Sequence, residues 1–412
     1  MSATNERSAE LIAKAGDEFP ATKNCLYLNG CDTTLIGRRT RAAVDRYLDN
    51  MMFKRGAKAD DEKVLDRARE KFARLVQAQP DEIALTRNVS EGINAIAQAM
   101  PWTPGDNVVL CTEIEHPNNI YPWLHLRRRG VEVRSVPARA GAIDVEAMVD
   151  AIDSRTRVLS CSTVSFCPGF RADLDALGAA CRERSVFFLV DAVQSTGILQ
   201  HDMARSRIDG LATSATKGLL GIYGIGFLYC RREWADRLQP VYLSRPAVDV
   251  PPEALSEMGT ADYRLRAGAR RFELGTHNYG AAFAVEASLD YLMEIGAPAI
   301  EAHVTGLSAR LAQGLLDLGL PVAGGAPGAH LAHIVTFGKL GAGGHDFSTD
   351  ESLNRLYRFL KANAVYLTIR RGMLRFALHV YNSKADVERV LDLVAEGMKT
   401  NTEKGRQTWP VS

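Results

Sequence analysis

Strong charge of one sign, closely spaced cysteines and long apolar runs are all missing from this chain, and each absence removes a class of function. Lysine and arginine number 50 against 49 aspartates and glutamates, so no net field draws the protein to nucleic acid or to an anionic membrane. Only seven cysteines stand in 412 residues. They form no disulfide framework, which fits a reduced cytoplasm. No apolar stretch approaches membrane-spanning length, and residues 1–20 are polar and charged, unlike a secretion signal. Internal repeats and low-complexity segments are also lacking. What is left is a soluble, cytoplasmic, globular chain with room for two domains and a large core.

Strand-like and helix-like segments alternate along most of that length. Residues 83–86, 107–111, 131–136, 157–161, 186–190 and 208–212 read as strands, and 90–96, 121–129 and 173–184 as helices. This rhythm predicts an α/β fold with an open, mostly parallel central sheet and helices on both faces. From Tyr279 the pattern changes. Long helices at 281–295 and 299–318 lead to a short unit of strands at 333–337, 365–369 and 373–379, a loop at 338–346 and helices at 352–363 and 384–398. The chain therefore divides into an N-terminal segment (1–26), a large domain (27–280), and linking helices with a small C-terminal α+β domain (281–412). A polar, frayed tail starts near residue 400.

The most informative residues sit at the ends of two of those strands. The run Val186, Phe187, Phe188, Leu189, Val190 has the unbroken apolarity of a strand buried on both faces, and it ends in Asp191, with Gln194 three residues on. The run at 208–212 delivers Ser214, Thr216 and Lys217, followed by glycine-rich residues 218–226. Ligands on such sheets bind at the carboxyl ends of the strands. An acid, an amide, hydroxyls and a lysine gathered there are the set that pyridoxal 5'-phosphate needs: a Schiff-base lysine, an acid to keep the pyridine nitrogen protonated, and hydroxyls for the phosphate. A P-loop or dinucleotide site is excluded, because Gly221, Gly224 and Gly226 follow the lysine instead of preceding a phosphate-binding helix. No metal-ligand pattern is present.

With these residues in place the chain resembles the class V aminotransferase family of fold-type I pyridoxal phosphate enzymes, an isopenicillin N epimerase-like and cysteine desulfurase-like superfamily, from about Tyr27 to about Met398. Asn88-Val89-Ser90-Glu91-Gly92 matches the family's phosphate-binding turn, which implies phosphate contacts from Val89 N–H and Ser90; by itself Ser90 reads equally as a helix N-cap. Glu115-His116-Pro117 matches the segment whose histidine stacks on the cofactor ring, so His116 joins Lys217 and Asp191 as a catalytic expectation. Gln194 matches the donor to the ring hydroxylate, and Ser214 and Thr216 match phosphate ligands. Arg271-Phe272-Glu273-Leu274-Gly275-Thr276 matches an element whose threonine reaches the neighbouring subunit's phosphate. That implies a homodimer with shared active sites, although Arg271 and Glu273 also read as a plain buried ion pair. Arg375, in Leu374-Arg375-Phe376, matches the arginine that grips the substrate α-carboxylate, and Arg371 is placed to hold a second acidic group. The chain departs from the family pattern at Thr216, commonly histidine, at Phe166, an asparagine in desulfurases, and at Ile222, commonly proline.

The resemblance implies an amino-acid substrate deprotonated at Cα, and three outcomes: transamination, β-elimination of the C–S lyase type, or epimerisation. Transamination leads by family analogy. Epimerisation needs a second acid/base, and none identifies itself. Cysteine desulfuration is disfavoured, because it uses a cysteine on a small-domain loop and no cysteine lies between Arg231 and Arg375. A non-catalytic relative would have lost Lys217 or Asp191, and both are present.

Overall fold

In the computed structural model, residues 3–249 and 263–403 are described. Fourteen strands occur among them. They are β1 (Leu26–Tyr27), β2 (Ile83–Thr86), β3 (Asn107–Leu110), β4 (Glu132–Ser135), β5 (Thr156–Ser162), β6 (Phe187–Asp191), β7 (Gly210–Ser214), β8 (Gly226–Cys230), β9 (Val248–Asp249), β10 (Arg264–Leu265), β11 (Ile334–Gly338), β12 (Val365–Tyr366), β13 (Thr368–Arg370) and β14 (Met373–Ala377). Seven form the central sheet in the order β2-β8-β7-β6-β5-β3-β4. All its neighbours pair in parallel except those of β8, which runs antiparallel to both β2 and β7.

Successive residues of a strand face opposite sides of its sheet, and here both sides are buried. Val109, Leu159, Phe188, Val190, Leu211 and Phe227 point into one core. Their neighbours Val108, Val158, Phe187, Leu189, Ala212 and Leu228 point into a second. The first core continues into the small three-stranded sheet β11-β14-β13. Helix Tyr279–Ile295 packs on helices Arg38–Met52 and Lys58–Leu75, which ties it to the large unit.

Several elements differ from the sequence reading. The strand expected at 208–212 is Gly210–Ser214; Asp209, just before it, already joins its neighbour, its N–H donating to the Phe188 carbonyl at 3.1 Å and its carboxylate accepting the Phe188 N–H at 3.0 Å. The single strand expected at 365–369 is two. Val365 and Tyr366 pair with Leu26 and Tyr27, where the Tyr27 and Tyr366 rings stack at 5.8 Å, and Thr368–Arg370 turns to pair with β14. The last helix, Lys384–Glu403, runs past its expected end at 398, and the rest of the expected tail, 404–412, lies outside the described residues. Among the described residues no helix is long and apolar enough to cross a membrane.

Candidate active site

The carboxyl ends of β2, β6 and β7 open into one cavity of about 730 Å³. Helix Val89–Ala99 begins there. Asn88 caps it by accepting the Glu91 N–H at 3.0 Å, so Ser90, read from sequence as a possible cap, is left free. The first N–H groups of the helix and the Ser90 hydroxyl then face the cavity, an arrangement that favours an anion. Ser214 and Thr216 line the same end, their hydroxyl oxygens 3.5 Å apart.

Asp191 is almost wholly buried. Its Oδ1 accepts the Val193 N–H at 3.0 Å, and burial pushes the carboxyl up to about 6 against the lowering effects of that bond and of Lys217. Gln194 Nε2 donates to the Cys31 carbonyl at 2.9 Å, while its buried Oε1 has no hydrogen-bond partner. Lys217 reaches the same space, its amine lowered by burial first and by the charge of Arg375 second. His116 Nδ1 accepts the Asn118 N–H at 3.2 Å, so the ring proton sits on Nε2. Burial, Lys217 and Arg375 together hold this imidazole near 4, and it is neutral at physiological pH. Phe166 meets it edge-on, ring centres 5.4 Å apart.

Thr276 lies on the lining of this chain's own cavity, beside His277 and Asn278. The arginines are placed differently. Arg375 is 2% exposed and does not line the cavity. It sits behind the wall, Nη1 donating to the Phe166 carbonyl at 2.7 Å and Nε to Thr368 Oγ1 at 3.2 Å. Arg371 turns away and donates to the Glu113 carbonyl. Arg271 does not pair with Glu273. It bonds Asp236 at 2.9 Å, whereas Glu273 takes Arg69 at 2.7 Å and the Leu85 N–H at 3.1 Å. The register explains the difference, since Glu273 is tied to β2 and Arg271 points across the loop.

Sequence reasoning passed over Asp32, Asn278 and Tyr223, which also line the cavity. They sit on loops without periodicity, and no motif marks them. It also passed over Glu115, a fully buried carboxyl pushed up to about 7 by burial, which accepts the Ser162 N–H and hydroxyl, each at 2.6 Å. Its neighbour His116 drew the attention instead.

These residues fit pyridoxal 5'-phosphate. The ring needs a buried acid and an unpaired amide beside it, the phosphate a helix start with hydroxyls, and the aldehyde an amine; Asp191, Gln194, Ser90, Ser214, Thr216 and Lys217 offer all of these around one space. No group of histidines, cysteines and carboxylates among the described residues is arranged to hold a metal ion.

Comparison with known proteins agrees. The family model described as "Aminotransferase class-V" matches residues 27–390. A probable cysteine desulfurase of Methanothermobacter thermautotrophicus is 34% identical over 293 residues, covering 69% of this chain and 71% of that protein. Another, from Pyrococcus abyssi, is 27% identical over 402 residues, 93% of this chain and 96% of its own. The apo structure of a cysteine desulfurase from Thermococcus onnurineus NA1 superposes with a TM-score of 0.81 at 25% identity, over 94% of this chain and 98% of that one. The relatives' names thus run against the expectation that set desulfuration aside.

Proposed function

The chain belongs to the class V aminotransferase family, a pyridoxal-5'-phosphate-dependent enzyme of fold-type I, and from that premise we propose that it removes the Cα proton of an amino acid with Lys217 as the base, with transamination as the outcome. When bound, pyridoxal phosphate supplies a carbonyl carbon for the substrate's amine and an electron sink for the charge left at Cα. The observation that carries the reading is the Lys217 amine, half-buried in the cavity just beyond a strand end and near a buried acid, with its proton affinity lowered. An amine of lowered basicity is available unprotonated, as a base must be.

The other residues serve that step. The Asp191 carboxylate keeps a proton-bearing partner charged, and a buried acid without such a partner is costly. Ser90, Ser214 and Thr216 anchor the phosphate, with the N–H groups of Val89 and Ser90, and Thr276 completes the phosphate site of a partner subunit. Gln194 spends one amide proton on Cys31 and has a second to donate. Arg375, which must give up the Phe166 carbonyl to do so, aligns the substrate's carboxylate, and alignment of the Cα–H bond is where its value lies. The buried walls exclude water from the developing charge.

Desulfuration needs a thiolate to receive sulfur. The cysteines beside the site are Cys31 and Cys167. Both are buried, and burial pushes both thiols up, Cys167 to about 11. No cysteine follows Cys230. A second reading, β-elimination, draws support from neutral His116, whose Nε2–H can hydrogen-bond a departing group while the proton it needs comes from the Lys217 amine that took it from Cα.

The test is product identification with purified holoenzyme and a panel of amino acids. Oxo acid without free ammonia, together with loss of the yellow colour, supports transamination. Pyruvate with ammonia establishes elimination. Sulfane sulfur released from cysteine, and lost on Cys31→Ala or Cys167→Ala, restores desulfuration. Lys217→Ala is expected to abolish turnover in every case, and borohydride reduction followed by peptide mapping should place the cofactor on Lys217.

A further inference from the structure

His379 has no part in the steps above, yet it is completely buried beside them. Its Nδ1 accepts the Val380 N–H at 2.7 Å, which fixes the tautomer. Nε2 therefore carries the proton and donates it to the Gly218 carbonyl at 3.0 Å. Burial holds the ring near 4, so a single neutral donor persists at working pH. Gly218 is the residue after Lys217.

The peptide on the other side of Lys217 is held as well, where Thr34 N–H donates to the Thr216 carbonyl at 3.2 Å. The two holders are themselves joined. The Tyr381 ring stacks on His379 with centres 5.3 Å apart, and its hydroxyl lies 3.3 Å from Thr34 Oγ1. Behind the lysine the large domain closes in. A Cβ on Gly218 would come 2.2 Å from the Thr196 carbonyl oxygen, and one on Gly197 would come 2.1 Å from the Gly218 oxygen. The Gly218 carbonyl is packed on one side and bonded to His379 on the other.

We propose that His379 is a positioning residue for the cofactor lysine, locking the Gly218–Leu219 peptide just beyond Lys217 so that the amine returns to one place after each release. The inference rests on Lys217 carrying the cofactor. Because His379 lies two residues beyond the end of β14, and β14 carries Arg375, the two side chains belong to one short stretch of chain. An N–H removed from this contact leaves a buried carbonyl without its partner, and the lysine backbone gains freedom.

His379→Leu removes the donor at similar girth, and His379→Gln keeps an N–H. On holoenzyme of each, we would measure the rate at which hydroxylamine releases the cofactor, the pH at which the visible absorption titrates, and the thermal midpoint. The leucine variant should change the hydroxylamine rate by roughly tenfold or shift the titration by about one pH unit, and the glutamine variant should restore both to within about threefold of wild type. If the leucine variant does not fold, His379→Ala takes its place. A lowered midpoint with unchanged rate and titration makes the residue merely structural and overturns the proposal, as does a glutamine variant no better than leucine. Peptide mapping after borohydride reduction of the same samples separates the two readings. Cofactor on another residue overturns both, whereas cofactor on Lys217 with a wild-type-like leucine variant overturns this one alone.

Discussion

A carboxyl buried at a strand end with one hydrogen bond is costly to ionise, and Asp191 makes that cost measurable. Its folded value, about 6, stands above the roughly 4 of an unfolded aspartate. Below pH 4 both states hold the proton and nothing is lost. Between about 4 and 6 the unfolded chain releases its proton first and stability falls, and above 6 the full penalty, up to about 3 kcal/mol, is present. Apoprotein carrying Asp191→Asn should therefore exceed wild-type apoprotein in stability at pH 8, by about 1–3 kcal/mol, with the gap closing by pH 4. Urea titrations at the two pH values decide this, and an equal gap at both would refute it. Saturation with cofactor should narrow or reverse the order, since the ring nitrogen restores the missing partner. Asp191 and Lys217 were legible in sequence because a polar residue ending an unbroken apolar run is conspicuous. Asp32 and Asn278 were not, since a loop residue gains its meaning only from what folds around it.

At the scale of elements, strand β14 positions the substrate clamp. Arg375 lies opposite Thr336 and Thr368 on the flanking strands and bonds Thr368 Oγ1. A lysine there keeps the charge and loses the planar fork, so Arg375→Lys should lower kcat/KM by about 10- to 100-fold, mainly through KM, in steady-state assays. A change confined to kcat would count against carboxylate binding. Buried Arg69 and Glu273 join helix Lys58–Leu75 to β2, since Glu273 also accepts the Leu85 N–H. Although burial alone would raise Glu273, His277, Arg69 and Arg270 pull it down to about 2. Arg69→Met should cost about 3 kcal/mol by stranding that carboxylate, and adding Glu273→Gln should recover part of the loss while keeping the Leu85 acceptor. Additive losses in the double variant would disprove the coupling. Unbroken apolar runs made the central strands readable, whereas antiparallel β8 was hidden behind a glycine-rich stretch. The partners of Arg271 and Glu273 escaped because sequence neighbours in an irregular loop point to different elements.

Across the whole molecule, the rim of the cavity leads to exposed apolar side chains, with Tyr223 70% and Tyr242 71% exposed beside Val241 and Leu243. Thr276 lies on that rim. We expect a homodimer formed over this face, with Thr276 close to both cofactor sites. Sedimentation should give the mass of two chains, and dilution below the dimer's dissociation constant should loosen the cofactor by mass action. A monomer that retains cofactor tightly would contradict it. The α/β class was readable from the alternation of patterns. How the chain's ends meet was not, because a two-residue strand has no periodicity.

That meeting of ends, Leu26 and Tyr27 beside Val365 and Tyr366, governs the order of events during synthesis. The first strand leaves the ribosome long before its partner, which follows the whole central sheet in sequence. The central sheet, complete by Cys230, can form while the opening residues still wait unpaired. Parallel pairing across nearly the full length of the chain closes a very long loop, and such contacts form late. The β1–β12 pair is therefore a clasp that can be fastened only after Tyr366 has been made. A nascent chain arrested before Val365 would carry a formed sheet and a protease-accessible beginning.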